Sequence, residues 1–66
     1  MQITINGEPR TIQEKSTISD LLVQLEYNSK HVAVALNKNC ILKKNYQQTV
    51  LSANDDVEIL APMAGG

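Results

Sequence analysis

The residues with the clearest chemical potential are the last ones, Ala61-Pro62-Met63-Ala64-Gly65-Gly66. This stretch carries no charged side chain and finishes on two residues with no side chain at all. Without Cβ, the Gly65-Gly66 backbone can thread a narrow slot and adopt conformations closed to other residues. The carbonyl of Gly66 has no substituent to crowd an attacking atom. Pro62 restricts φ and biases Ala61 towards an extended form, which projects the tail away from what precedes it. Ala64 keeps the approach slim. Other chemistry is sparse: there is no nucleophile–base pair, no pair of carboxylates at catalytic spacing and no phosphate-binding Gly-rich loop. The reading is not that of an enzyme in its own right.

Lone candidates elsewhere read blandly. His31 has no nucleophile, acid or metal partner in the sequence and is expected as a solvated residue at a strand start. Cys40 has no companion for a disulfide or a metal site and is expected as a small filler after a turn. Asp55, Asp56 and Glu58 gather close to the tail, either as a solvated turn or as a rim that steers a basic partner surface. No bound cofactor is expected.

The elements that must present the tail are short. A chain of 66 residues is one domain near the lower size limit for folding without staples. Its 42% hydrophobic and 20% charged residues are those of a globular protein. Six basic against seven acidic residues leave a net charge of −1, and the only aromatics are Tyr27 and Tyr46. Nucleic acid is therefore not an expected partner. The longest apolar run, Val32 to Leu36, is far too short for a bilayer. A lone thiol and the lack of a leader pattern point to a reducing, cytoplasmic setting.

Met1, Ile3 and Ile5 alternate with polar residues, the period of a half-buried strand. Asn6-Gly7 is a strong hairpin signal, and Arg10-Thr11-Ile12 forms the return strand, with Pro9 assigning it to a sheet edge. Ile18, Leu21, Leu22 and Leu25 make one helical stripe. Thr17 is the expected N-cap and Asp20 its capping-box partner, with Asn28-Ser29 ending the helix. The unbroken apolar run Val32 to Leu36 reads as a strand covered on both sides. A turn at Asn37-Lys38-Asn39 leads to a short strand at Ile41-Leu42. Lys43 to Gln48 reads as a loop with a helical turn. After a turn at Asn54-Asp55-Asp56, Val57 and Ile59 alternate with Glu58 and Leu60 in a last strand. If Val57 and Ile59 face the helix, Leu60 faces the opposite side, where no second helix exists to cover it. Leu60 and Glu58 are thus the expected docking face.

One helix covers one face of such a sheet, which makes the fold α+β. The order resembles the ubiquitin-like β-grasp, a mixed sheet of four to five strands with one main helix on one face. More narrowly, the chain resembles the ThiS family of sulfur carriers in thiamine biosynthesis. The matching pieces are INGEPR, TISDLL, VAVALN, YQQTVL and DDVEILAPMAGG. The family often has Gly after VAVALN, where this chain has Lys38-Asn39. It often has Asp-Gly-Asp where this chain has Asn54-Asp55-Asp56; Asn and Asp tolerate the left-handed region that such turns use.

The resemblance implies a β-grasp domain over residues 1–61, with its first and last strands paired in parallel at the sheet centre. Residues 62–66 are then a flexible tail. It also implies that Gly66 is the modified residue, with Gly65 and Ala64 entering partner active sites. A ThiF-type enzyme would adenylate the Gly66 carboxylate with Mg-ATP, and a persulfide, supplied through a cysteine desulfurase or similar donor, would displace AMP. The resulting thiocarboxylate passes to a ThiG-type thiazole synthase. Two other classes stand beside this one: a molybdopterin-type carrier or ubiquitin-like modifier, and an interaction module whose tail is chemically idle.

Overall fold

Asn6 and Gly7 take left-handed backbone, at φ 51° and 83°, and this turns the first strand back on itself. In the computed structural model, which describes residues 1–61, β1 (Gln2–Ile5) pairs antiparallel with β2 (Glu8–Thr11). Ile12 lies just past β2. Its N–H reaches the Met1 carbonyl at 2.8 Å and its carbonyl accepts from the Met1 ammonium at 2.7 Å.

Helix α1 (Ile18–Gln24) begins as its sequence demands. The Asp20 N–H donates to Thr17 Oγ1 at 3.1 Å and the Thr17 N–H to Asp20 Oδ2 at 3.0 Å, a reciprocal capping box. The other orphan donors of the first turn go to a distant loop: Ile18 N–H to the Thr49 carbonyl and Ser19 N–H to the Tyr46 carbonyl. The helix ends earlier than Asn28-Ser29. Glu26 adopts φ 64°, its N–H bonds the Val23 carbonyl, and the Tyr27 N–H bonds the Leu22 carbonyl. These are the paired bonds of a Schellman stop, here with glutamate where glycine is usual. Asn28 instead caps a 3-10 turn, Ser29–His31, accepting from Lys30 N–H.

β3 (Ala33–Leu36) pairs with β4 (Asn39–Ile41) on one side and β5 (Asp56–Leu60) on the other; β5 also pairs in parallel with β1. The five-stranded order is β2-β1-β5-β3-β4, so the expected mixed sheet and the edge position of β2 both hold. β3 departs from expectation. Val32 and Val34 are buried, whereas Ala33 is exposed and Ala35 only partly covered. The strand does alternate, by side-chain size rather than polarity. β4 also starts and ends earlier than Ile41-Leu42, leaving Leu42 exposed beyond it.

The core joins Ile3, Ile5, Val57, Ile59 and Val34 of the sheet to Ile18, Leu21 and Leu22 of the helix. Leu25 only partly packs against it, because the Schellman stop ends the stripe there. Tyr46, expected in a polar loop, is a core residue that follows a second 3-10 turn, Lys43–Asn45. Its hydroxyl donates to the Val32 carbonyl at 3.3 Å.

Burial holds the Tyr46 phenol above its ordinary value, against a smaller lowering from the backbone at Val34. A raised folded pKa means that this contribution to stability is complete below the unfolded phenol range, about pH 10, and is lost as pH rises through the folded pKa. Denaturation followed against pH is expected to show an alkaline fall in stability that Tyr46→Phe flattens. An unchanged alkaline slope in that variant would contradict it.

Candidate functional site

Strand β5 delivers the chain to the tail, so the site is built around its end. Val57 and Ile59 point into the core and are buried, while Glu58 and Leu60 stand on the other face; Leu60 is 71% exposed. Strand parity therefore places Leu60 as expected. Across that open face the register sets Cys40, Ala35 and Glu58 in one row, and Ala33 beside Leu60 in the next. Alanines flanked by longer side chains leave a trough. It is an open groove of about 250 Å³ lined by Ala33, Ala35, Cys40, Leu42, Glu58 and Leu60. Cys40 is thus an exposed free thiol on this surface and not a buried filler. Its exposed placement was hidden because alanine and valine count alike in an apolar run, which conceals the face Cys40 shares.

The acidic residues near the tail separate into two kinds. Asp55 is structural: its carboxylate accepts from Ser52 N–H at 2.7 Å and from the Asn37 amide at 3.1 Å. Asn37 in turn accepts from the Asp56 N–H at 2.9 Å. These bonds hold the turn at Asn54, whose φ is 70°, against the turn at Asn37 and Lys38, at 51° and 71°. Glu58 alone of this group lines the groove. His31 is exposed at the end of its 3-10 turn, one residue before Val32.

Sequence reading missed Asn6. Beyond its turn role, its side-chain carbonyl accepts from the Ile59 N–H at 2.8 Å and its amide donates to the Ile59 carbonyl at 3.3 Å. The partners lie 53 positions apart, so no local signal marks the pair.

Among the described residues no group of His, Cys, Asp and Glu is placed to hold a metal ion. No helix among them is long and apolar enough to cross a membrane. Gly66, Gly65 and Ala64, the residues expected to be modified and to enter partner sites, lie outside the described residues, as does the whole tail 62–66.

The sheet order and the single helix match a solved relative across its whole length. The crystal structure of the thiamine biosynthesis protein ThiS from Geobacter metallireducens superposes with a TM-score of 0.86 at 32% identity, covering 100% of both chains. The ThiS family model matches residues 3–66. The chain belongs to the ThiS family. Its fold is the ubiquitin-like β-grasp. The sulfur carrier protein ThiS of Thermus thermophilus is 36% identical over 64 residues, covering 97% of this chain and 98% of that one. A thiazole synthase of Paramagnetospirillum magneticum is likewise 36% identical over 66 residues, and there this ThiS-family chain spans only 20% of the relative's length. That synthase therefore contains a ThiS-like segment within a much longer polypeptide.

Proposed function

We propose that this chain is a sulfur carrier of thiamine biosynthesis, with Gly66 as the residue that bears the sulfur. The observation that carries the reading is the family match, which runs through the two terminal glycines to Gly66. A carboxylate is a poor electrophile. Adenylation by a ThiF-type partner, using Mg-ATP and releasing pyrophosphate, converts it to an acyl-adenylate. A persulfide then attacks the Gly66 carbonyl and AMP leaves. A second thiol cleaves the acyl disulfide so formed, and the thiocarboxylate remains on the carrier. A ThiG-type synthase takes the sulfur for thiazole formation. The carrier supplies no catalytic group to any of these steps; its part is to dock and to deliver the acyl carbon.

Two observations support the thiazole branch over a molybdopterin-type carrier or a protein modifier. The full-length relative is named as a ThiS sulfur carrier, and the longer relative that contains a similar segment is named as a thiazole synthase. The test is intact mass after incubation with a ThiF-type enzyme, ATP and a persulfide donor. One sulfur replacing one oxygen at Gly66 is the expected change, and an unchanged mass with active partners overturns the reading.

The open face is the docking surface in this scheme, because Leu60 and Glu58 stand on the strand that leads to the tail. Leu60→Asp is expected to leave the melting temperature near that of the parent, since Leu60 contributes nothing to the core. Its affinity for the synthase, read by titration calorimetry, is expected to fall roughly tenfold or more, as for an apolar anchor at an interface. Parent affinity in this variant removes Leu60 from the docking surface.

A further inference from the structure

We infer that Asn6 is a positioning residue for the tail: its side-chain amide takes the place of a missing strand and fixes the direction in which β5 leaves the sheet. This rests on the sulfur-carrier reading for its functional consequence. Its structural basis is independent of it.

Strand β1 ends at Ile5, and the chain turns away at Asn6 and Gly7. The last main-chain bond between the parallel partners runs from Asn6 N–H to the Val57 carbonyl at 2.9 Å. In a strand, the N–H of residue i+2 points to the same side as the carbonyl of residue i. The Ile59 N–H and carbonyl therefore face the side that β1 has vacated, and among the described residues no main-chain group bonds them there. On the other side β3 still pairs, Ala33 with Leu60.

A primary amide offers one acceptor and a donor side by side, the same pair that a peptide group presents. Asn6 uses both on Ile59, at 2.8 and 3.3 Å. The ladder is thus prolonged by one rung, and that rung lies two residues before Ala61. The left-handed backbone of Asn6 brings the amide round to this position, so a single residue makes the turn and the clasp. Without the clasp, the end of β5 is held from one side only. The carbon to be adenylated belongs to Gly66, which follows the end of β5 through residues 61–65, and small misplacements of a reacting group carry large rate penalties.

Asn6→Gly separates the two roles, because glycine keeps the left-handed turn and removes the amide. Asn6→Asp keeps an acceptor for the Ile59 N–H, tolerates the turn and loses the donor. In Asn6→Gly the Ile59 amide is expected to exchange roughly tenfold faster, as for loss of one hydrogen bond, with the Val34 amide unchanged. Sulfur loading by the ThiF-type enzyme is expected to show a roughly tenfold lower kcat and a KM close to that of the parent, because the docking face is untouched. Asn6→Asp is expected to recover part of both. A purely structural Asn6 would lower the melting temperature and leave kcat for the folded protein unchanged; that result, or parent-like Ile59 exchange in Asn6→Gly, overturns the inference. Should Asn6→Gly not fold, Asn6→Asp decides alone, with faster Ile59 exchange and a lower kcat supporting the proposal and parent values rejecting it. If the parent itself takes up no sulfur, the carrier reading fails, while Ile59 exchange still judges the clasp.

Discussion

Deletion of Gly66 is expected to abolish thiocarboxylate formation and leave the melting temperature where it is. The deletion makes Gly65 the terminus and draws the carboxylate back by about 3.5 Å along an extended chain. A misplacement of ~1 Å already costs on the order of a hundredfold in rate, so no measurable loading remains. Adding one residue after Gly66 moves the carboxylate as far in the other direction and is expected to be as damaging. Gly66→Ala keeps the length but adds a methyl beside the reacting carbonyl and narrows φ; slower loading is expected. Stability is expected to stay near the parent value in all of these, because a terminal glycine has no side chain to add to the core that Ile3 to Ile59 form among the described residues. The measurement is adenylation-dependent mass change beside thermal denaturation. A truncated chain that loads sulfur as fast as the parent shows that Gly66 is not the reactive residue.

The largest effect on stability is expected at Leu21. It is fully buried, at 0% exposure, against the sheet. Leu21→Ala is expected to destabilise by about 2–5 kcal/mol, combining lost transfer energy and the cavity left behind. A core of this size seldom supplies more than roughly 3–5 kcal/mol in total, so the variant is expected to be largely unfolded at ambient temperature. The same change at Leu25 is expected to cost less, because Leu25 only flanks the core. Urea denaturation of both variants tests the order, and a Leu25→Ala loss equal to that of Leu21→Ala would mean that the helix packs further along than Gln24.

What the sequence discloses and what it withholds follow from how local each feature is. The start of α1 was legible because Thr17 and Asp20 interact three positions apart. Its end was not, because a Schellman stop is made by backbone bonds and here places Glu26, not glycine, at φ 64°. Leu60 was legible from the period of a single strand. Cys40 was not, since its surroundings depend on the size difference between Ala35 and Val34 and on pairing with another strand. Tyr46 stood alone among polar residues, and its hydroxyl and carbonyl hydrogen-bond outside that segment, to Val32 and to the first turn of α1. The parallel pairing of β1 with β5 leaves no local mark either; it entered through resemblance. Asn6 shows the same limit at the site itself, where a residue read correctly as a turn also reaches Ile59 at the far end of the sequence.

The strand order also has a consequence for how the molecule is made. Among the described residues β5 is the last strand to emerge during synthesis, yet it is the middle of the sheet. Until residues 56–60 are available, β1-β2 and β3-β4 are two hairpins with no strand to join them in one sheet, and an isolated hairpin is marginal in water. The core cannot close while the ribosome still holds β5, and non-local closure of this kind is comparatively slow. A nascent chain cut short before β5 stays open to proteolysis. A polypeptide can thus complete its sheet only after synthesis has reached residues 56–60.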